Sequence, residues 1–283
     1  MINKRIFVNT VPHSGTHFLT ALLERVGYKH SVYKNTYYME KPFFRRNQKA
    51  GINWRTATLL QEKLKISSKK DINVSVSAPV KITSSTYKSL FKVLKKGNFI
   101  IGHVPYSKEA DLIHQGMLDC TLSIIRDPRD MILSMMRHVK EREVHHAHKY
   151  LFKVLTNDRD RFFAIAEGYN NQYGNLIGVD AMINSILDWE KTTNSLCLRF
   201  EEVIGPKGGG SEEIQLKVLN NLFSFLEVDI SKRKIKKIAE ESFGKASTFR
   251  KGGINGWKDS ISLEDNNLFE QKYSSILERT SYK

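Results

Sequence analysis

The sequence predicts an α/β fold of three layers, in which a mainly parallel central sheet is flanked by helices on both faces. Short apolar stretches of strand length alternate along the chain with longer stretches of helical periodicity. This alternation is typical of parallel sheets, because each crossover between parallel strands covers one face of the sheet. Hydrophobic residues make up 40% of the chain, which is enough for a large buried core.

The predicted elements follow from these two periodicities. The predicted strands are short and apolar, and they cover 5–11, 99–103, 121–125 and 196–200. The predicted helices repeat apolar residues every three or four positions, and they cover 16–26, 84–95, 108–115, 128–139, 212–226, 231–241 and 264–279. Residues 144–189 are predicted to be mainly helical, and 28–80 to hold loops and one helix near 56–64. Asp127 is the expected N-cap of the helix that begins with Pro128.

The organisation of the chain is that of one domain. Its 283 residues contain neither an internal repeat nor an interdomain linker, so a single domain over 1–283 is predicted. The N-terminus enters a strand pattern directly, and no apolar run reaches membrane-spanning length. The two cysteines, Cys120 and Cys197, have no zinc or redox spacing, so a reducing, cytoplasmic location is expected.

The balance of charge points to an anionic partner. Lys and Arg number 45 against 30 Asp and Glu, a net charge of +15. Such an excess favours nucleic acid, an anionic membrane, an acidic polymer or a multiply phosphorylated nucleotide. The aromatic residues fall mostly within apolar periods, which argues against a nucleic-acid surface of exposed aromatics. The charge alone does not distinguish the remaining anionic partners, so the sequence motifs are needed to decide among them.

A strand-to-helix turn near the N-terminus is the first candidate anion site. The motif VPHSGTHF spans 11–18, with Gly15 where the strand turns into the helix. Backbone N–H groups of such a turn bind anions at the positive end of a helix, and Ser14, Thr16 and His17 add side-chain donors. The second glycine and the lysine of a Walker A loop are missing, so this is not that motif.

The segment SIIRDPRDMILSMMRH, residues 123–138, is the second candidate. Arg126 ends a buried strand, and Ser134 lies eight residues later, about two turns into the next helix. Ligands of open α/β sheets bind at the carboxyl ends of strands, where a guanidinium and a hydroxyl together hold a phosphate. An Arg paired with Asp127 or Asp130, beside a Ser bonded to its own helix, is the alternative for this stretch alone.

The third candidate is the C-terminal segment TFRKGGINGW, residues 248–257. Arg250 and Lys251 carry positive charge, and Gly252, Gly253 and Gly256 let backbone N–H groups approach an anion closely. Taken by itself, this segment is an ordinary basic loop.

Together these motifs resemble the family of sulfotransferases that use 3′-phosphoadenosine 5′-phosphosulfate (PAPS), and the resemblance covers almost the whole chain. VPHSGTHF resembles the family's 5′-phosphosulfate loop, RDPRDMILS its 3′-phosphate segment, and FRKGGINGW its C-terminal signature. GHVP, residues 102–105, resembles the strand end that carries the catalytic histidine. LRFEEVIGPKGGGS, residues 198–211, resembles the RYED segment and the GGGS loop of bacterial-type members.

The resemblance implies both a fold and an activity. The fold is like that of P-loop nucleotide kinases, with five strands in the central sheet. The activity is transfer of a sulfuryl group from PAPS to a hydroxyl or amine of a small molecule, lipid or glycan, without a metal, leaving adenosine 3′,5′-bisphosphate (PAP). His103 is implied to be the general base, and Phe18 and Phe243 to sandwich the adenine. The residues implied to bind the nucleotide are His13, Ser14, Gly15, Thr16, His17, Phe18, Arg126, Ser134, Phe200, Phe243, Arg250, Lys251 and Gly252.

Two residues depart from the family pattern. His13 replaces the lysine that contacts the leaving phosphate, and a histidine carries that charge only when protonated. Phe200 replaces a tyrosine, so a hydroxyl contact is lost. His13 is therefore a second candidate catalytic residue, with a charge that depends on pH.

Other interpretations of the same residues remain open at this stage. A P-loop-type phosphoryl transferase using ATP lacks support from a GK[ST] motif or a magnesium-binding carboxylate at a strand end. A PAPS-binding protein with impaired turnover is a further alternative, because of His13. The acceptor and the oligomeric state have no signal in the sequence.

Overall fold

The computed structural model describes residues 2–33, 48–49, 51–52, 57, 72–244 and 253–282. The strands are short, and they are β1 Ile6–Asn9, β2 Lys29–His30, β3 Val32–Tyr33, β4 Gln48–Lys49, β5 Gly51–Ile52, β6 Ile72–Asn73, β7 Lys81–Ile82, β8 Asn98–Gly102, β9 Cys120–Ile125, β10 Gly168–Asn171, β11 Gly174–Ile177 and β12 Ser195–Arg199. The α-helices are α1 Thr16–Val26, α2 Ser84–Leu90, α3 Lys108–Met117, α4 Pro128–Lys140, α5 Asp158–Glu167, α6 Val179–Leu187, α7 Phe200–Val203, α8 Glu212–Phe225, α9 Lys232–Ser242, α10 Leu263–Lys272 and α11 Ser274–Thr280.

The central sheet is parallel, and β1 lies in its middle. The strand order is β12-β9-β1-β8-β2, and β5 also pairs with β8, which makes six described strands where the family resemblance implied five. β1 pairs with β8 on one side and with β9 on the other, so the strand order reverses at β1. Ligands of such sheets bind outside the carboxyl ends of the strands at this reversal of strand order. The sheet therefore predicts a site just beyond Asn9.

Both faces of the sheet are covered, as the sequence predicts. Alternate residues of β1 enter opposite cores: Phe7 packs into one core, and Ile6 and Val8 into the other. The second core also contains Leu19 from α1 and Leu219 from α8. This arrangement confirms the predicted fold class, because a parallel strand buried on both faces must be apolar at every position.

The helix ends beside the site follow the predicted capping. Helix α1 ends at Gly27, whose φ of 115° is the left-handed conformation that glycine adopts without strain. Helix α4 begins with Pro128, and the Asp127 side chain accepts a hydrogen bond from Arg129 N–H. The predicted Asp127 cap at the start of α4 is therefore confirmed.

The region 144–189 is only partly helical, which corrects the sequence-based expectation. Between α5 and α6, β10 and β11 form an antiparallel hairpin. Gly168 begins it with a φ of 76°, and a Cβ there would lie 2.5 Å from Gly178 N. The predicted final helix is also divided, at Tyr273, into α10 and α11. The helix predicted near 56–64 falls almost wholly outside the described residues.

Among the described residues, no helix is long and apolar enough to cross a membrane.

Candidate active site

A cavity of about 920 Å³ opens at the carboxyl ends of β1, β8 and β9. Its lining brings together residues that are far apart in the sequence, because parallel strands end at the same edge of the sheet. The predicted site residues that line it are His13, Gly15, Thr16, His17, Phe18, His103, Arg126, Ser134 and Phe200.

The turn between β1 and α1 has the backbone of an anion site. His13 and Gly15 have φ values of 69° and 112°, in the left-handed region. Gly15 caps α1 without any side-chain hydrogen bond, so the first N–H groups of the helix stay available to an anion in the cavity. A Cβ on Gly15 would lie 2.5 Å from Phe200 Cδ2, so only glycine fits beneath that ring. The turn is therefore preorganised for an anion.

Ser14 holds this turn in place and does not present its hydroxyl to the cavity. Its Oγ lies 2.6 Å from the Val11 carbonyl oxygen and 2.7 Å from that of Ile124. These contacts tie the turn to the neighbouring strand β9. The Ser14 hydroxyl is thus engaged inside the protein, and its contact with the nucleotide stays a prediction.

His103 lies directly after β8 with one ring nitrogen already engaged. Its Nδ1 lies 2.6 Å from the Thr10 carbonyl oxygen, which can only accept a hydrogen bond. Nδ1 must then carry the proton, and Nε2 keeps a lone pair. Burial lowers the pKa of His103, the Thr10 carbonyl partly opposes this, and His17 adds to the lowering. A neutral imidazole with a free lone pair is the form that a general base requires.

Two residues that the sequence analysis did not single out position His103. Asn9 clamps the chain after it, donating to the Val104 carbonyl at 2.9 Å and accepting from Val104 N–H at 2.7 Å. Thr10 Oγ1 lies 2.6 Å from Thr16 Oγ1, which links the base to the anion turn. The polar Asn9 at the end of an otherwise apolar strand was the available signal.

Arg126 is placed as the second anion site predicts. Its guanidinium lies over the Phe200 ring, with 4.6 Å from Cζ to the ring centroid, and donates to the Gly253 carbonyl at 2.8 Å. Asp130 is 3.6 Å away, and Nε of Arg126 has no hydrogen-bond partner within the described part of the chain. Ser134 lines the same cavity two turns along α4. Arg126 therefore keeps donor capacity for a phosphate.

The remaining predicted nucleotide contacts are placed differently or fall outside the structure. Phe243 packs against the core beside α9, while its neighbours Ser242 and Gly244 line the cavity. Arg250, Lys251 and Gly252 lie outside the described residues. Gly253, which follows them, reaches Arg126, so the C-terminal segment returns to the predicted 3′-phosphate region.

The surroundings of His13 favour its neutral form when no anion is bound. Burial, together with the nearby His138, His103, His145 and Arg126, lowers its pKa to about 3. Its ring meets that of His138 edge to face, with 4.9 Å between centroids. A protonated His13 therefore requires an anion in the cavity, since a neighbouring negative charge favours the cation.

Arg129 joins the start of α4 to the C-terminal helices, a role that the sequence analysis did not anticipate. The side chain is 2% exposed. It forms a fork with both Asp127 oxygens at 2.9 and 3.0 Å and donates to Asn266 and Glu270. Trp257 covers its guanidinium at 3.8 Å. The loop that carries Arg126 is thereby anchored to the C-terminus.

The histidines give no metal site. Among the residues that the structure describes, no group of three or more His, Cys, Asp or Glu side chains is arranged to hold a metal ion.

The parallel sheet carries the anion turn and His103 on one cavity at its carboxyl edge. This arrangement is typical of an α/β enzyme that transfers a group from an anionic donor. The sequence model described as "Sulfotransferase domain" matches residues 3–281. The chain belongs to this sulfotransferase family, and the predicted class of enzyme is confirmed. No curated protein sequence matches it.

Solved sulfotransferase structures share the fold. Mouse sulfotransferase SULT7A1 complexed with PAP is similar over 97% of this chain and 84% of its own, with 16% identity and a TM-score of 0.57. Retinol dehydratase, solved with androsterone and the inactive cofactor PAP, is similar over 96% of this chain and 80% of its own, with 15% identity and a TM-score of 0.55. PAP, the product of the predicted donor, is the nucleotide in both.

Proposed function

We propose that this protein transfers the sulfuryl group of PAPS to a hydroxyl group of a small-molecule acceptor. The observation that carries the proposal is His103, whose Nδ1–H is held by the Thr10 carbonyl at 2.6 Å while its ring borders the cavity beside the anion turn. In-line sulfuryl transfer needs a base for the acceptor proton and an anion site for the donor, and His103 and the anion turn border the same cavity.

The described residues fit the two charged ends of PAPS. Nε of Arg126 is without a partner among them, which suits the 3′-phosphate, and Ser134 lies on the same wall. The N-terminus of α1, where no side chain caps the first N–H groups, suits the 5′-phosphosulfate. Arg250, Lys251 and Gly252 are proposed to complete the 3′-phosphate contacts, as the family resemblance implies. When bound, PAPS supplies the activated sulfuryl group.

Each residue then has a defined task. His103 Nε2 takes the proton of the acceptor hydroxyl as that oxygen bonds to sulfur and the bond from sulfur to the phosphate oxygen breaks. The N–H groups at the start of α1, with Thr16, stabilise charge on the departing phosphate. Arg126 and Ser134 orient the nucleotide and so align the reacting atoms.

The acceptor half of the cavity suits a small molecule. Ile52, Ile101 and Val144 give it apolar lining, and Ser75 and Ser77 add hydroxyl groups. The retinol dehydratase structures contain androsterone in one case and retinol in another, both small molecules. By analogy we propose a small-molecule acceptor here, in preference to the lipid or glycan that the sequence also allows.

PAP is expected to bind about 10–100-fold more tightly than AMP, because only PAP carries the 3′-phosphate that Arg126 is proposed to contact with charge-assisted hydrogen bonds. Isothermal calorimetry with the two nucleotides measures this ratio. ATP, which also lacks a 3′-phosphate, should behave like AMP.

The matched variants for this experiment are Arg126→Gln and Arg137→Gln. The first should bring the affinity for PAP down towards that for AMP, whereas the second should leave most of the preference intact. Equal affinities of the unaltered protein for PAP and AMP would remove the assignment, and stronger stabilisation by ATP would favour a phosphoryl transferase.

The activity is expected to depend on pH through His13. If His13 assists the leaving phosphate, it must hold a proton while His103 is neutral, and the profile of kcat against pH is then bell-shaped. The alkaline limb reports loss of the His13 proton. His13→Lys should therefore move that limb to higher pH, by about 2 pH units or more. His103, whose pKa burial lowers, sets the acid limb below about pH 6.5.

His13→Ala is the control for this profile. It should lower kcat and abolish the alkaline limb while leaving the acid limb in place. Profiles that coincide in height and shape for the wild type, His13→Lys and His13→Ala would exclude His13 from the reaction.

A further inference from the structure

One wall of the cavity carries a concentration of basic side chains that the proposed donor site does not use. We call it the basic wall, and its members are Arg137, His138, Arg142, His145 and His146. They come from the last turns of α4 and the segment after it. Ser134, Arg137, His138 and Glu141 are spaced three, four and seven residues apart, which places them on one helix face.

The rings of this wall form a continuous row that begins at the reacting centre. The His13 and His138 centroids are 4.9 Å apart, those of His138 and His145 5.7 Å, and those of His145 and His146 4.4 Å. His13 lies in the anion turn, and His146 is exposed to solvent. The row therefore leads from the site of transfer to the mouth of the cavity.

The charge on this wall is not balanced within the described part of the chain. Asp130 and Glu141 lie near Arg137, and their charges oppose the lowering of its pKa by burial. Of the acidic residues that line the cavity, Asp130 accepts from Trp257 N–H and faces Arg126. The other two are Glu141 and Asp259. The wall itself has two arginines and three histidines against one carboxylate, Glu141, so its surplus of positive charge grows when the histidines are protonated.

The position of the wall separates it from the proposed 3′-phosphate contacts. His138 is one helical turn beyond Ser134, and Arg142 follows the end of α4. The charge of Arg142 lowers the pKa of both His17 and His145, so the guanidinium lies near both rings. An anion at Arg142 would therefore lie beyond the anion turn, towards the mouth, where an acceptor must enter.

We propose that the basic wall binds an anionic group of the acceptor, so that the preferred acceptors are small hydroxyl-bearing acids. The inference rests on the proposed function and specifies its acceptor class. The hydroxyl lies at His103 and the anionic group contacts Arg142 and the histidine row. Ile52, Ile101 and Val144 are available to the apolar body between them.

The histidines make this recognition dependent on protonation. Burial, together with His146, His138, Arg142 and His148, lowers the pKa of His145 to about 4. A bound anion favours the imidazolium and raises that pKa, so binding of an acid should take up protons from solution. A neutral acceptor of the same shape should take up none.

The test compares two probes of nearly equal shape, 4-hydroxybenzenesulfonate and 4-hydroxybenzenesulfonamide, on the full chain saturated with PAP. The sulfonate stays charged throughout the working pH range. Calorimetry should show it binding about 10-fold more tightly than the sulfonamide. At about pH 6, the binding enthalpy of the sulfonate, but not that of the sulfonamide, should change with the ionisation enthalpy of the buffer, which indicates proton uptake.

Matched variants assign the effect to the wall. Arg142→Gln should remove most of the preference for the sulfonate, Arg142→Lys should restore part of it, and His145→Gln should reduce the proton uptake. Lys140→Gln removes one charge from the end of α4 outside the cavity lining, and it should change none of these.

Three results have distinct meanings. Equal affinity for the two probes overturns the basic-wall proposal. A preference that survives Arg142→Gln also overturns it, because the sulfonate then occupies the sulfuryl position of the donor instead. Failure of PAP to bind better than AMP, measured first on the same protein, overturns the proposed function itself.

Discussion

His103→Ala is expected to lower kcat by about 10²–10⁴-fold, the usual contribution of a general base. The affinity for PAP should stay nearly unchanged, because Nε2 is proposed to contact the acceptor and Nδ1 is held by the Thr10 carbonyl. The measurements are single-turnover rates with labelled PAPS and calorimetry with PAP on the same preparations.

His103→Asn is the matched control for this loss. The asparagine amide can still donate to the Thr10 carbonyl near the position of Nδ1, but it cannot accept a proton from the acceptor. The loss of turnover should therefore match that of His103→Ala, with stability closer to the wild type. Turnover within about threefold of the wild type in both variants would mean that another group takes the proton.

Arg129→Met is expected to lower the free energy of unfolding by about 3–5 kcal/mol, because it leaves the buried Asp127 without its partner. The Arg129 side chain is 2% exposed and joins Asp127 to Asn266, Glu270 and the Tyr282 carbonyl. Methionine cannot replace these hydrogen bonds. Denaturant unfolding monitored by circular dichroism measures the change.

Two further variants separate this cause from the general loss of an arginine. Arg159→Met removes an exposed ion pair with Asp265 and should leave the unfolding midpoint nearly unchanged. Adding Asp127→Asn to Arg129→Met removes the unpaired charge while keeping a capping side chain, so part of the stability should return. A midpoint for Arg129→Met equal to that of Arg159→Met would contradict the role of the network.

Local signals in the sequence were sufficient for much of the fold. Helix α1 covers the predicted 16–26, because its apolar spacing and the glycines at both ends act within the segment itself. The hairpin at Gly168–Ile177 was missed, since its two strands pair with each other across a turn whose residues lack a strong hairpin motif. Tyr273 likewise breaks a helix whose residues have no stop signal, and only packing reveals it.

The sequence by itself determined the kind of chemistry: an anion turn at Gly15, a basic strand end at Arg126 and a histidine at the end of a third strand. Each motif is ambiguous when taken alone, and their combination in this order along the chain is what points to the chemistry. Only the tertiary structure decided the protonation of His13, the engagement of the Ser14 hydroxyl and the approach of His138 and His145 to the reacting centre. Burial and electrostatic neighbours come from segments far apart in the chain, and the sheet brings them together at one edge.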